Sequence, residues 1–426
     1  MVSTRKLRLA ALVFAASGLV SEARAQGQVQ GPDTLRLAEV VAEARQSNPM
    51  LQAARFAADA SAERVSQVGA LPDPMLALGL RNRPLDGFGA DEPMTMNWVG
   101  LTQTLPWPGK LGFSEERARH LAVASDLDAD EMEAALIARL KSVYFQLAFM
   151  DRAVGIMERT RNLLRDFLEV TSAKYAVGTG VQQDILQAQV AIARMTADIT
   201  VVQQNRIAMA ARLNALLGRP ATVSVGALKL TQPYGILPAV ESLMFVAAEN
   251  RPAIQAARER ALAAAAGYRA ARRAVYPDFT VGLGYGQRPE FVDMATIQVG
   301  ISLPLWAGSK QLPKRREMQA VQSMEEAREL DLHNETFAQL SELRASAVRA
   351  QELSNLYETS IIPQAVAAVE SSLSAYRVGG VDYMTLLSNE MTVNQFEIES
   401  VRLAAEYQES VAAIEALTSS ETGIGE

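Results

Sequence analysis

Apolar residues recur along this chain at alternating spacings of four and three. One series runs Val181, Ile185, Ala188, Ile192, Met195, Ile199, Val202, Met209, Leu213 and Leu216, with Arg206 in the same register. Others run from Leu136 to Met157 and from Ile362 to Tyr376. A sustained period of 3.5 residues keeps one seam of a helix turned toward a partner and winds the pair into a left-handed supercoil. The predicted helices are long. Phe113 to Tyr175 holds 63 residues, about 95 Å of helix at 1.5 Å per residue. Lys310 to Tyr376 holds 67, roughly 100 Å. Met50 to Ala70 and Gln182 to Leu217 together hold 57, about 86 Å. Two shorter helices stacked end to end would therefore run beside each long one. A compact domain has no use for such a length; the wall of a tube does.

A period of two interrupts the helical rhythm in four places. Phe279, Val281, Leu283 and Tyr285 alternate with Thr280, Gly282, Gly284 and Gly286. Ala295, Ile297, Val299, Ile301 and Leu303 alternate with Thr296, Gln298, Gly300 and Ser302. Leu76, Leu78 and Leu80 repeat the pattern, and so do Val99, Leu101 and Leu105, with Gln103 breaking the series. The predicted strands cover about 75–83, 95–105, 279–287 and 295–303, close to the roughly 9 to 11 residues that a tilted strand needs to cross a bilayer. An amphipathic hairpin on a soluble core has the same alternation. The small polar residues opposite the apolar ones favour a water-filled lumen. Four such strands leave two unpaired edges, which lipid does not tolerate, so closure into a barrel calls for further copies of the chain.

The chain is also duplicated. Asn48-Pro49 followed by Gln52-Ala53-Ala54-Arg55 returns as Arg251-Pro252 followed by Gln255-Ala256-Ala257-Arg258. Leu71-Pro72-Asp73 returns as Tyr276-Pro277-Asp278, and Leu105-Pro106-Trp107 as Leu303-Pro304-Leu305-Trp306. Tyr175-Ala176-Val177-Gly178 returns as Tyr376-Arg377-Val378-Gly379. Landmarks in one order at nearly constant offset mark a repeat. Residues 26–217 and 251–418 each read helix, strand, strand, very long helix, turn, helix. Residues 218–250, rich in Gly, Pro, Thr and Val, read as an equatorial linker, and 419–426 as a tail.

Composition removes most enzymes. The 426 residues include no Cys and two His, His120 and His333, at a net charge of -7. Thiolate chemistry, disulfides and a multi-histidine metal centre are thereby excluded, and the acidic balance argues against nucleic acid. No catalytic constellation, metal-ligand set or cofactor motif is visible. His120 beside Glu115 and Glu116 reads as a solvated surface residue. Arg5, Lys6 and Arg8 precede an apolar run from Leu9 to Val20 and the small-x-small stretch Ala23-Arg24-Ala25. This predicts a secretory signal over residues 1–25, cut between Ala25 and Gln26.

The order of elements, the duplication, the stretch Gln103-Thr104-Leu105-Pro106-Trp107-Pro108-Gly109-Lys110 and the Tyr-x-x-Gly turns resemble the TolC-like outer membrane efflux proteins. The Pro-Trp-Pro-Gly-Lys run is similar to the branch that serves heavy-metal efflux pumps of the RND type. The resemblance implies a mixed fold: a homotrimer with a periplasmic α-barrel of long helical hairpins and a 12-stranded outer-membrane β-barrel, four transmembrane strands from each protomer. It implies a periplasmic adaptor and an inner-membrane RND transporter as partners and heavy-metal cations as cargo. Drugs or secreted proteins are the alternative cargo, and a periplasmic coiled-coil scaffold is the alternative of another class.

Two sets of residues stand out. Tyr175, Val177, Gly178, Thr179, Gly180 and Val181 form one turn between antiparallel helices, and Tyr376, Val378, Gly379, Gly380 and Val381 the other. Glycine there admits positive φ, which plain loop chemistry explains fully. Exposed valines at the end of a tube would also offer apolar contacts, and the resemblance implies that the adaptor docks on these tips. Just beyond them the resemblance implies a constriction. Asp184 occupies that place in the first repeat; Thr385 stands at the matching position of the second, with Asp382 and Glu390 nearby. Carboxylates converging on a narrow axis would repel one another and favour cations. Asp184 equally suits the start of a helix, where the macrodipole favours negative charge.

Overall fold

The heptad-like and alternating stretches become long helices and a four-stranded sheet in the computed structural model, which describes residues 34–84, 92–230 and 235–420. The expected cleavage site at Ala25 and Gln26, most of the first strand connection and most of the C-terminal tail lie outside these residues. The first half runs β1 (Thr34–Leu35), α1 (Leu37–Ser47), α2 (Pro49–Gly69), β2 (Met75–Arg81), β3 (Met96–Leu105), α3 (Lys110–Ala176) and α4 (Gln182–Leu216). The second runs β4 (Ala227–Leu228), α5 (Val240–Asn250), α6 (Pro252–Arg273), β5 (Asp278–Gln287), β6 (Met294–Ser302), α7 (Gln311–Leu356), α8 (Ile362–Arg377) and α9 (Tyr383–Thr418).

Two elements depart from the expectation. The stretch read as a linker contains β4, which pairs in parallel with β1, and the helix α5. Helix α5 begins 203 positions after α1, so it continues the duplication upstream of Arg251. The second long helix is also not uniform. Between α7 and α8 the backbone widens into a π-turn at Tyr357–Ile361. Pro363 lacks the N–H that would close the ladder and its ring crowds the preceding turn, so the helix admits one π-turn instead of breaking.

Helix starts follow local chemistry. Asn48 caps α2, its side chain accepting from the Met50 and Leu51 N–H groups at 2.9 and 3.0 Å, with Pro49 next in the first turn. The Asn48 amide donates to the Leu216 carbonyl at 2.8 Å, tying α2 to the end of α4. At the matching place before α6, Arg251 provides no cap and instead binds Glu131 of α3 at 2.8 Å. Helix α3 packs against α2, α4, α6 and α9, so it is the spine of the chain. Its seam with α6 is lined by ion pairs, including Arg269 with Glu116 at 2.7 Å. His120, expected to be solvated, belongs to this seam: its Nδ1 lies 2.6 Å from the Glu259 carboxylate and the pair is half-buried.

The sheet is antiparallel in the order β2-β3-β5-β6, so the halves join at β3 and β5. Leu76, Leu101, Leu283 and Ile297 are matched across all four strands and are exposed on one face. Ala77, Gly100, Gly284 and Thr296 form the adjacent row on the other face. Trp98 lies on that second face, flat over glycine: a Cβ at Gly100 would sit 1.9 Å from the indole and one at Gly284 2.8 Å. The Arg81 guanidinium covers the indole at 3.5 Å. Strands β2 and β6 keep their outer edges unpaired.

Candidate functional site

The two helical turns at the far end of the chain are alike in backbone and unlike in burial. Gly178 and Gly379 both adopt positive φ, 75° and 82°, closing α3 and α8. Val177, Val181 and Val378 are exposed. Val381 is not: it packs on the apolar cluster of Leu164, Phe167, Ala188, Leu386 and their neighbours, which corrects the expectation of four free valines. The tyrosines diverge as well, Tyr175 being 48% exposed and Tyr376 only 4%.

The structure joins Tyr376 of one turn to Asp184 of the expected constriction, or neck, across the repeats. The Tyr376 hydroxyl donates to Asp184 Oδ2 at 3.1 Å. Lys174 donates to the Tyr376 carbonyl at 2.6 Å and stands over its ring at 4.2 Å. Tyr383 meets the Tyr376 ring edge-on at 5.9 Å. Burial and the nearby Asp184 carboxylate raise both phenols, Tyr383 to about 12. Lys174, Asp184, Tyr376 and Tyr383 thus form one cross-repeat cluster, of which Lys174 and Tyr383 carried no sequence signal beyond ordinary heptad chemistry.

Asp382 and Thr385 do something else. Asp382 caps α9, accepting from the Thr385 N–H at 2.9 Å and from its hydroxyl, and these bonds hold its carboxyl below the usual range. Glu390, expected near the lumen, is buried among helices. Its carboxyl is bonded by the Thr160 hydroxyl of α3, which itself accepts from Asn394 at 3.0 Å. Burial first, then the neighbouring Glu397, pushes Glu390 up to about 7. A groove of about 380 Å³ lies between α4 and α9 close to the turns, walled by Leu186, Val190, Arg194, Met384 and Met391.

At the opposite end of α3 the Pro-Trp-Pro-Gly-Lys stretch forms a clasp that sequence reasoning left unassigned. Gly109, with φ of 91°, turns the chain into α3. The Trp107 N–H and Lys110 Nζ both donate to Asp278 Oδ1 at 2.8 Å, and Lys110 also reaches the Tyr276 carbonyl. Trp107 stacks on Tyr276 and Phe279, with ring centroids 5.1 and 5.7 Å away. The sign that could have exposed this is the matched occurrence of Lys110 and Asp278 at the joints of opposite repeats.

The model of the outer membrane efflux protein family matches the chain twice, over residues 40–219 and 243–420. The pyoverdine export outer membrane protein OpmQ of Pseudomonas putida is 23% identical over 389 residues, covering 87% of this chain and 78% of that protein. Among solved structures, the outer membrane protein VceC of Vibrio cholerae superposes with a TM-score of 0.77 at 20% identity, covering 90% of this chain and 96% of that one. CusC superposes with a TM-score of 0.77 at 17% identity, covering 90% and 91%.

Proposed function

The chain belongs to the outer membrane efflux protein family, and on that premise we propose that three copies close into a passive exit duct for small organic molecules. The family fixes the coarse part: an efflux channel of the outer membrane with its helices in the periplasm, transporting rather than catalysing. The observation that carries the finer reading is the four-stranded sheet, apolar and exposed on one face, small and polar on the other, open at both edges, and continued by long helices of which α3 holds 67 residues. Closing the ring with two more copies would pair every edge and turn the apolar face to lipid.

At the other end, the exposed valines and the groove by Leu186 and Val190 would receive the helical tips of a periplasmic adaptor, which links the duct to an energised inner-membrane transporter. The bond from Tyr376 to Asp184 would hold the neck closed. The name of the Pseudomonas putida relative supports an organic cargo. Heavy-metal cations, the expectation from the resemblance of the Pro-Trp-Pro-Gly-Lys run, would be favoured further by converging neck carboxylates. Of these, Asp184 is engaged by a phenol, Asp382 caps a helix and Glu390 is buried. Deleting the gene is expected to sensitise cells to organic compounds and leave tolerance of zinc, cobalt, cadmium, copper and silver unchanged. The opposite pattern in a sensitivity panel would restore the metal cargo.

A further inference from the structure

The joint between the two halves of the chain has a precise counterpart in sequence at the chain's open edges. Inside the protomer, Asp278 at the start of β5 receives the Trp107 N–H and Lys110 Nζ from the segment after β3. The duplication places Asp73, two residues before β2, where Asp278 stands, and Trp306 and Lys310, after β6, where Trp107 and Lys110 stand. The second copy of the motif is two residues longer, with one residue added before the tryptophan and one between the tryptophan and the lysine. The internal pair is partly covered, with side-chain exposures of 20% for Lys110 and 32% for Asp278. Asp73 and Lys310 are exposed, and neither side chain has a hydrogen bond or ion pair among the described residues. Trp306 is 76% exposed, whereas Trp107 stacks on two rings.

We infer that Lys310 and Trp306 of one copy clasp Asp73 of the next, repeating at each seam between copies the lock that joins the two halves of one chain. The inference rests on the ring proposed above and adds the residues and register that close it. Lys310 Nζ and the Trp306 N–H donate to the Asp73 carboxylate, and the Trp306 ring lies over Leu71 and Pro74, which stand where Tyr276 and Phe279 do. The opposite charges and the uncovered indole beside the exposed Leu71 make the two edges complementary.

The strand register follows from the match of Leu105 with Leu303, which precedes both added residues. Within the chain Leu101 lies opposite Leu283 and Val99 opposite Tyr285. Carried to the seam, Val299 of β6 faces Leu78 of β2 in the next copy, Ile301 faces Leu76 and Ile297 faces Leu80. All six of these side chains belong to the exposed apolar face, so the register keeps that face continuous around the ring. A slip of one residue would set apolar against polar positions throughout.

The chain has no cysteine, so introduced pairs report cleanly. Val299→Cys with Leu78→Cys is expected to form disulfides between copies on mild oxidation, giving covalent trimers in SDS without reductant. Val299→Cys with Leu80→Cys, one diagonal away, should crosslink several-fold less. Asp73→Lys or Lys310→Asp alone should lower the temperature at which the trimer dissociates in SDS, and the two together should restore it. Lys310→Gln provides a milder variant should either reversal fail to fold, and is expected to lower that temperature by a smaller step. Trimers of native mass in which the shifted pair crosslinks better, or in which the combined reversal is no better than the two losses added, would overturn the clasp and leave the duct standing. Purified protein that is monomeric in detergent would overturn both.

Discussion

A carboxylate three residues into α4 meets a phenol from the opposite repeat, while the second repeat moves its carboxylate back to the cap of α9. Both placements satisfy the positive end of a helix, and only the first reaches across the molecule. Asp382→Ala should therefore destabilise the start of α9 and lower the melting temperature, with Asp382→Asn close to neutral, read by thermal unfolding. Tyr376→Phe removes the bond to Asp184 and is expected to raise single-channel conductance in planar bilayers; an unchanged conductance would detach this bond from the neck. Glu390 gives a pH dependence of definite sign. Its carboxyl keeps its proton to about 7 in the folded chain against 4.5 when exposed, so the folded state binds the extra proton between those values. Stability should fall as pH rises through that window and level off above it, by on the order of 3 kcal/mol at most. Glu390→Gln is expected to flatten that slope in melting curves taken from pH 5 to 8. Asp184 was legible in the sequence as a charge at a helix start. Its partner was not, because Tyr376 occupies an ordinary heptad position and only the fold brings it within reach.

At the scale of elements, strands and helices were readable wherever burial on one side left a clean period. The four strands lie within a few residues of the alternating runs because exposed leucine and valine on one face face glycine and threonine on the other. The π-turn at Tyr357–Ile361 was missed although Pro363 stands inside the heptad run. A proline in that position permits a kink, a break or a widened turn, and sequence does not choose among them. Helix α5 was hidden in a stretch whose glycines and prolines suggested a plain connection. The glycines of the polar face carry their own requirement. Trp98 lies against Gly100 and Gly284, so Gly100→Val should displace the indole and cost about 1 to 3 kcal/mol. Urea unfolding of refolded protein measures the loss, and Trp98→Ala in the same background should relieve it.

For the whole molecule, the duplication supplies a template for the edges a single chain leaves open. The exposed Leu186, Val190, Val201 and Ile207 give α4 an apolar flank along much of its length, and its composition would suit a membrane span although the helix belongs to the periplasmic part. Leu186→Glu with Val190→Glu is expected to abolish export and crosslinking to the adaptor while the membrane-inserted trimer persists. Loss of the trimer instead would assign this flank to contacts between copies. The long helices and the paired halves were visible from helical period and the repeat, whereas cargo was not, since neither periodicity nor spacing encodes what passes through a channel. The unequal burial of Tyr175 and Tyr376 has a consequence for stoichiometry. A threefold ring of this chain would end in six hairpins of two alternating kinds, one loosely finished and one firmly packed. Any six-membered partner would then seat its subunits in two inequivalent berths, and a titration should resolve two classes of three.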